Sequence, residues 1–171
     1  NFGVDGAQAV KDIEQTTNHD VKAVEYFLKE KLEECGLGNL KEWVHFACTS
    51  ADINNTSYAL MLKKGRDVIA GYGQELLRRV EELAKQYKAM AMMSRTHGQP
   101  ATPTTVGKEC VNFAWRINKE LQGLSNVSIQ AKLNGATGSF NAHVSAFPDI
   151  DWIAASDNFL SKYLEVEPLF F

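Results

Sequence analysis

The sequence predicts an all-α chain. Apolar residues Ile53, Leu60, Val68, Ile69, Leu76, Val80, Leu83 and Tyr87 recur at helical steps from Asp52 to Lys88. Val106, Cys110, Phe113, Ile117, Leu121 and Leu124 do the same beyond Pro103. Nowhere does apolar–polar alternation persist for more than a few residues, so no half-buried strand is indicated. A helix over Asp52–Lys88 is about 55 Å long at a rise of about 1.5 Å per residue, too long for a compact small domain. Helices of that length need partners along their flanks, so a long helical bundle is expected.

Each element has its local signal. A short helical pattern opens the chain, with Ala9, Val10 and Ile13 apolar between Asp12 and Glu14. Thr17 or Asn18 can cap a second helix, whose apolar positions are Val21, Val24, Phe27, Leu28 and Leu32 and which Gly36 and Gly38 end. Leu40–Ala47 reads as a short helix. Thr49-Ser50-Ala51-Asp52 fits a capping box opening the long helix, in which Gly65, Gly71 and Gly73 permit a bend or close helix approach. Pro100 and Pro103 bias their preceding residues away from helix, so Ser94–Thr102 reads as ordered loop, with Thr102 capping and Pro103 opening the next helix. That helix is expected to fray near Gly123 or run to about Ala131. Leu133–Ala146 is rich in small and amide residues and reads as loop, after which Pro148-Asp149-Ile150-Asp151 restarts a helix carrying Trp152, Ala155, Phe159 and Tyr163. The expected organisation is residues 1–51 as the C-terminal part of a small N-terminal helical domain and 52–171 as the first part of a central long-helix bundle.

Composition narrows the function classes. With 171 residues, 44% of them hydrophobic, the chain can bury a core. Its net charge of −3, on mixed charges, argues for neither a nucleic-acid nor a membrane partner. Cys35, Cys48 and Cys110 are odd in number and widely spaced, which indicates no disulfide framework and suits a reducing, cytoplasmic compartment. No apolar run approaches the roughly 18 residues that span a bilayer, and no signal-like segment opens the chain. The start at Asn1, without a Met, and the apolar end Leu169-Phe170-Phe171 lead us to expect a segment of a longer protein.

The chemistry concentrates in Ser94–Glu109, SRTHGQPATPTTVGKE, where Arg95 and His97 stand among hydroxyls, a Gly and a Gln. A histidine in a rigid loop suits acid–base work, because its ordinary pKa is near neutrality. A loop histidine bonded only for structure fits the same residues, and the loop alone leaves both readings open.

Three stretches in this order, TTNHD at Thr16–Asp20, HFACTSADINN at His45–Asn55 and SRTHGQPATPTTVGKE, resemble the adenylosuccinate lyases of the fumarase/aspartase superfamily. The resemblance runs from about Gln15 to Trp152. It implies a fumarase/aspartase-like helical bundle, a homotetramer with active sites shared between subunits, and β-elimination of fumarate from adenylosuccinate and from the succinyl-carboxamide ribotide. By the same resemblance His97 is the general acid that protonates the leaving nitrogen, and His19 is the second active-site histidine. Asn18 and Asp20 flank His19 and contact the nucleotide; helix capping explains both equally well from the residues alone. Thr49 and Ser50 grip a carboxylate or phosphate at a helix N-terminus, where free N–H groups favour an anion. Arg95, Thr96 and Gln99 position His97 or the succinyl carboxylates.

Lys108, Lys132 and Asn134 are less specific candidates for anion binding, and no role follows for His45 or His143. No cofactor is implied, since the reaction is not redox and neither a dinucleotide nor a metal motif occurs. The serine loop of SSxMPxKxN type, which carries the family's base, is missing from these 171 residues. The alternatives are a non-catalytic helical assembly segment, or another lyase of the superfamily such as argininosuccinate lyase or fumarase, against both of which TTNHD and HFACTS argue. In either lyase case the segment alone is expected to be inactive.

Overall fold

The computed structural model describes residues 2–170 and is predominantly helical. Among the described residues the six α-helices are α1 (Val4–Thr17), α2 (Asp20–Glu34), α3 (Ser50–Gln86), α4 (Val106–Ser125), α5 (Asn141–Ala146) and α6 (Trp152–Asn158). A 3₁₀ segment, Gly38–Trp43, stands where the sequence predicted a helix over Leu40–Ala47, and a π turn, Phe159–Tyr163, prolongs α6. Among the described residues the strands form only two-stranded sheets: β1 (Ala91–Thr96) with β2 (Gln99–Thr105) antiparallel, and β3 (Gln130–Ala131) with β4 (Glu167–Pro168) parallel. The chain divides into two compact units, Asn1–Leu60 with Ile129–Phe171, and Met61–Ser128.

In the first unit α1 and α2 pack as a pair, with Phe2 edge-on to Phe27. The interior of α2 holds a buried carboxylate, Glu25, which Lys22 and Lys29 meet at 2.6 and 3.0 Å from the adjacent turns. Those two ammonium groups hold the Glu25 carboxyl below its ordinary range even though burial acts the other way. The main apolar cluster gathers Ala59 of α3, Ala131, Leu160 and Val166, so the polypeptide returning after residue 128 closes over the first turns of α3. Ser156 Oγ donates to the Leu133 carbonyl at 2.9 Å and ties α6 to the same returning strand.

The second unit is a helical hairpin interrupted by a β-hairpin. Its helices run antiparallel: a Cβ added at Gly107, at the start of α4, would lie 2.5 Å from the Ala84 carbonyl and 2.6 Å from Lys88 Cα, and one at Gly73 would meet the Leu121 side chain. Only glycine permits the backbone contact at Gly107. Gly65 and Gly71 face open space, so of the three α3 glycines Gly73 is the one that serves close approach. Arg66 donates to the Val127 carbonyl at 3.0 Å and closes the far end of the pair.

Three local expectations are corrected. Ser94–Thr102, expected to be loop, is mostly paired strand: Arg95 faces Pro100, Met93 faces Pro103, and a bulge in β2 sets Ala101 and Thr102 against Ser94. Prolines are tolerated because a two-stranded ribbon has an unpaired side on which no N–H is needed. Helix α4 therefore begins later than Pro103; its cap is Thr105, whose hydroxyl accepts the Lys108 N–H at 3.1 Å. Its end at Ser125 meets the expected fraying near Gly123, and the chain then enters β3. Leu133–Ala146, read as loop, includes the short helix α5.

Candidate active site

The first unit brings two of the three motif stretches together. Asn18 ends α1 in the left-handed conformation, with φ 50°, and the chain turns directly into α2. The cap of α2 is neither Thr17 nor Asn18, as expected, but His19, whose Nδ1 accepts the Lys22 N–H at 3.2 Å. An accepting Nδ1 places the proton of the neutral ring on Nε2. That nitrogen lies 3.2 Å from Ser50 Oγ, at the start of α3. Asp20 makes the neighbouring link, its Oδ2 accepting from Asn54 Nδ2 at 3.3 Å. Ser50 and Asn54 are one helical turn apart and share a face of α3, so the His19-Asp20 dipeptide is held at two points. The Val21 N–H, and then Asn54, hold the Asp20 carboxyl below its usual range. Asp20 Oδ1 is also 3.4 Å from His19 Nδ1.

Behind Thr49 and Ser50 lies a fully buried carboxylate, Asp52. Its Oδ2 accepts from the Thr49 N–H at 2.8 Å and the Gly135 N–H at 3.2 Å. Its Oδ1 accepts from Lys132 Nζ at 2.6 Å and the Asn134 N–H at 3.3 Å. Lys132 donates further to Asn134 Oδ1 and to the Gly135 carbonyl, both at 2.9 Å, which uses all three of its N–H bonds inside the protein. Lys132 and Asn134, considered above as anion ligands, are thus engaged in the frame that carries Thr49. Asn55 braces the same segment through both backbone groups of Lys132. The motifs assign no role to Asn54 or Asn55, although their helical spacing from Ser50 and Ala51 carries the signal.

Two histidines without a sequence role lie near this frame, His143 buried and His45 half-buried. His143 packs edge-on against Trp152, Phe140 and Phe46, with ring centroids 4.9, 5.4 and 6.5 Å away. Burial depresses its pKa, so the ring is held neutral. His143 lines an apolar cavity of about 220 Å³ with Phe46, Cys48, Phe140, Trp152 and Phe159. Its Nδ1 and that of His45, in a left-handed turn with φ 65°, are buried without hydrogen-bond partners.

The third motif lies in the second unit, on the β1–β2 hairpin. His97 and Gly98 form its two-residue tip, with φ 49° and 76°. Two successive positive φ values are the mark of the tight turn that matches strand twist. The tip leaves Arg95, Thr96, His97 and Gln99 exposed, and the paired register places Thr96 opposite Gln99 and Arg95 opposite Pro100. Lys108, in the first turn of α4, pairs with Glu109 at 3.0 Å. Among the described residues no cluster of His, Cys, Asp and Glu suited to a metal ion occurs, and no helix is long and apolar enough to cross a membrane.

A family model described as "Lyase" matches residues 1–158. The chain belongs to the lyase family. Among the relatives of this lyase chain, adenylosuccinate lyase of Escherichia coli K12 is 52% identical over 164 residues, covering 95% of this chain and 36% of the relative. The adenylosuccinate lyase of Vibrio cholerae is 50% identical over 169 residues, 98% of this chain and 37% of that one. The chain thus spans a little over a third of the length of the curated relatives it matches. Solved structures share the fold: fumarate lyase from Mesorhizobium sp. BNC1 matches with a TM-score of 0.75 at 17% identity, over 96% of this chain and 37% of that one. β-Carboxy-cis,cis-muconate cycloisomerase from Acinetobacter calcoaceticus sp. ADP1 matches with 0.73 at 21%, over 95% and 37%. The expected all-α, fumarase/aspartase-like class therefore holds, with the β1–β2 hairpin as its local departure.

Proposed function

We propose that this lyase chain acts as part of an adenylosuccinate lyase, which splits adenylosuccinate into AMP and fumarate and releases fumarate from the succinyl-carboxamide ribotide in the same way. A base removes the proton from the carbon β to the leaving nitrogen, the carbanion-like electron pair forms the new C=C bond, and the C–N bond breaks with its electrons left on nitrogen. His97 gives that nitrogen its proton. Catalysis then rests on a poised acid and on cations and N–H groups that hold the added charge of the succinyl carboxylates.

The observation that carries this reading is the 3.2 Å contact between His19 Nε2 and Ser50 Oγ at the opening of α3, which joins two motif stretches 31 residues apart. Around it Asn18, Asp20, Thr49 and Ser50 supply amide, carboxylate, hydroxyl and N–H groups for a nucleotide and its carboxylates. His19 is positioned to relay or accept a proton there. Arg95, Thr96 and Gln99 surround His97 on the hairpin and orient it. Because SSxMPxKxN does not occur in the 171 residues, the base is assigned to another part of the complete protein. The boundary near residue 51 is kept as that between a small helical domain and the bundle. The free cysteines suit a cytoplasmic enzyme.

The test is turnover of adenylosuccinate by the full-length protein, followed by ultraviolet absorbance. His97→Asn is the variant of choice, since Asn tolerates the left-handed tip that strains Ala. It should lower kcat by about 100-fold or more, the scale of a lost general acid, with KM within a few-fold of wild type. Retained kcat with a large rise in KM would make His97 a binding residue and overturn the assignment.

A further inference from the structure

We infer that Asp52 is a positioning residue for the anion-binding turn: its buried carboxylate sets the Thr49–Ser50 backbone, and through it the His19–Ser50 contact, while Lys132 only stabilises that carboxylate. This rests on the proposed reading that Thr49 and Ser50 take a substrate carboxylate or phosphate.

Asp52 is fully buried on α3, yet none of its four contacts is to a group on the exposed face of the helix. Three are backbone N–H groups that regular secondary structure leaves unpaired: that of Thr49, just before α3, and those of Asn134 and Gly135 in the returning loop. The 2.8 Å bond to Thr49 reaches backward from the first helical turn, the reciprocal half of a capping box. The other two bonds anchor that cap to a segment more than eighty residues away in sequence. One carboxylate thereby fixes the direction in which the first free N–H groups of α3, and the Ser50 hydroxyl, face outward. A simple cap would need neither burial nor a lysine.

Lys132 has a different part. Its Nζ meets Asp52, Asn134 Oδ1 and the Gly135 carbonyl, and the structure shows no bond from it to Thr49 or Ser50. Removing Lys132 deletes a counter-charge but leaves Asp52 with its three N–H donors. Removing the charge of Asp52 leaves a mostly buried ammonium group, and also turns one accepting oxygen into an NH₂ that faces other donors. The two variants therefore cost stability alike, and only one disturbs the turn.

The experiment compares Asp52→Asn with Lys132→Met in the full-length protein. Both should lower the melting temperature. Asp52→Asn should raise KM for adenylosuccinate by about 10-fold or more, the scale of one charge-assisted hydrogen bond, with kcat per folded molecule within a few-fold of wild type. Lys132→Met should keep KM near wild type. A parallel readout needs no turnover: hydrogen–deuterium exchange by mass spectrometry on the peptide containing Thr49 should quicken in Asp52→Asn and not in Lys132→Met. Should Asp52→Asn fail to fold, the double variant Asp52→Asn/Lys132→Met, with both charges removed, must still show the raised KM and faster exchange. Equal KM and equal exchange in both single variants would make Asp52 a stabilising residue only and overturn the inference. So would a fall in kcat with KM unchanged, the pattern of a lost fraction of folded enzyme. If wild type does not cleave adenylosuccinate, the proposed function fails, and the exchange comparison still decides whether Asp52 sets the turn.

Discussion

At the scale of single residues, burial decides which reactive groups are available. Cys48 lines the cavity with Phe46 and Phe140, and burial, then the Asp52 charge, pushes its thiol up to about 11. At pH 8 a thiol at about 11 holds about a hundredth of the thiolate of one at 9, and the thiolate is the form that reacts. Iodoacetamide should therefore modify exposed Cys35 well ahead of Cys48, by about 10-fold or more in initial rate, as peptide mapping would show. Comparable rates would contradict the burial. The sign for stability follows from linkage: a pKa raised in the folded state gives stability that is complete below the ordinary value of 9 and is lost as pH rises towards 11. His143 has the opposite sign, since its pKa is lowered: stability is complete above about 6.5 and is lost as pH falls below it.

At the scale of elements, the pairing of α3 with α4 depends on where side chains are missing. An alanine at Gly107 puts its Cβ within 2.7 Å of backbone atoms of Ala84 in α3 and of Lys88 just beyond it, which cannot rotate aside. Gly107→Ala should therefore destabilise the protein by about 1–3 kcal/mol, the cost of overpacking a tight contact. Gly65→Ala has open space and removes a flexible residue from a helix interior, so it should be neutral or stabilising by up to about 1 kcal/mol. Urea unfolding midpoints of the two variants test this contrast directly; a tolerated Gly107→Ala would disprove the close approach. The hairpin obeys the same logic at its tip, where Gly98 sits at φ 76° and lets the chain reverse in two residues.

At the scale of the molecule, α3 is unbroken over 37 residues, about 55 Å of helix, and exposes Met61, Leu62, Val68, Ile69, Tyr72 and Leu76 along its length. Helix α4 likewise exposes Phe113 and Trp115. Apolar stripes of that extent are what an interface between copies would cover, and we propose that it is that of the homotetramer with shared active sites which the resemblance implies. Shared sites make a distinct prediction. Full-length His97→Asn and Ser50→Ala, each nearly inactive alone, should recover part of the wild-type turnover when mixed, because hybrid assemblies contain sites with neither lesion. No recovery despite subunit exchange shown by native mass spectrometry would rule out sharing.

The sequence by itself determined the long helices and supplied the residues proposed to carry chemistry. Apolar spacing located α3 to within two residues at each end, because a long period of side chains facing one way has no other stable conformation in water. The motif strings located His19, Ser50 and His97 as residue types in a recognisable order. Three features were decided only by the tertiary structure. Arg95–Thr102 became a hairpin because the base of the ribbon is clamped by the Val106 N–H on the Met90 carbonyl and the Gly107 N–H on Tyr87, bonds that local propensity does not register. His19 displaced Asn18 as the helix cap because Ser50, from a distant helix, holds its other ring nitrogen. Lys132 became part of an internal frame instead of a surface cation because the buried Asp52 must be paired. In each case the deciding partner is far away along the chain. Periodicity reports which face of an element is apolar, whereas a contact between particular polar atoms exists only once folding has brought them together.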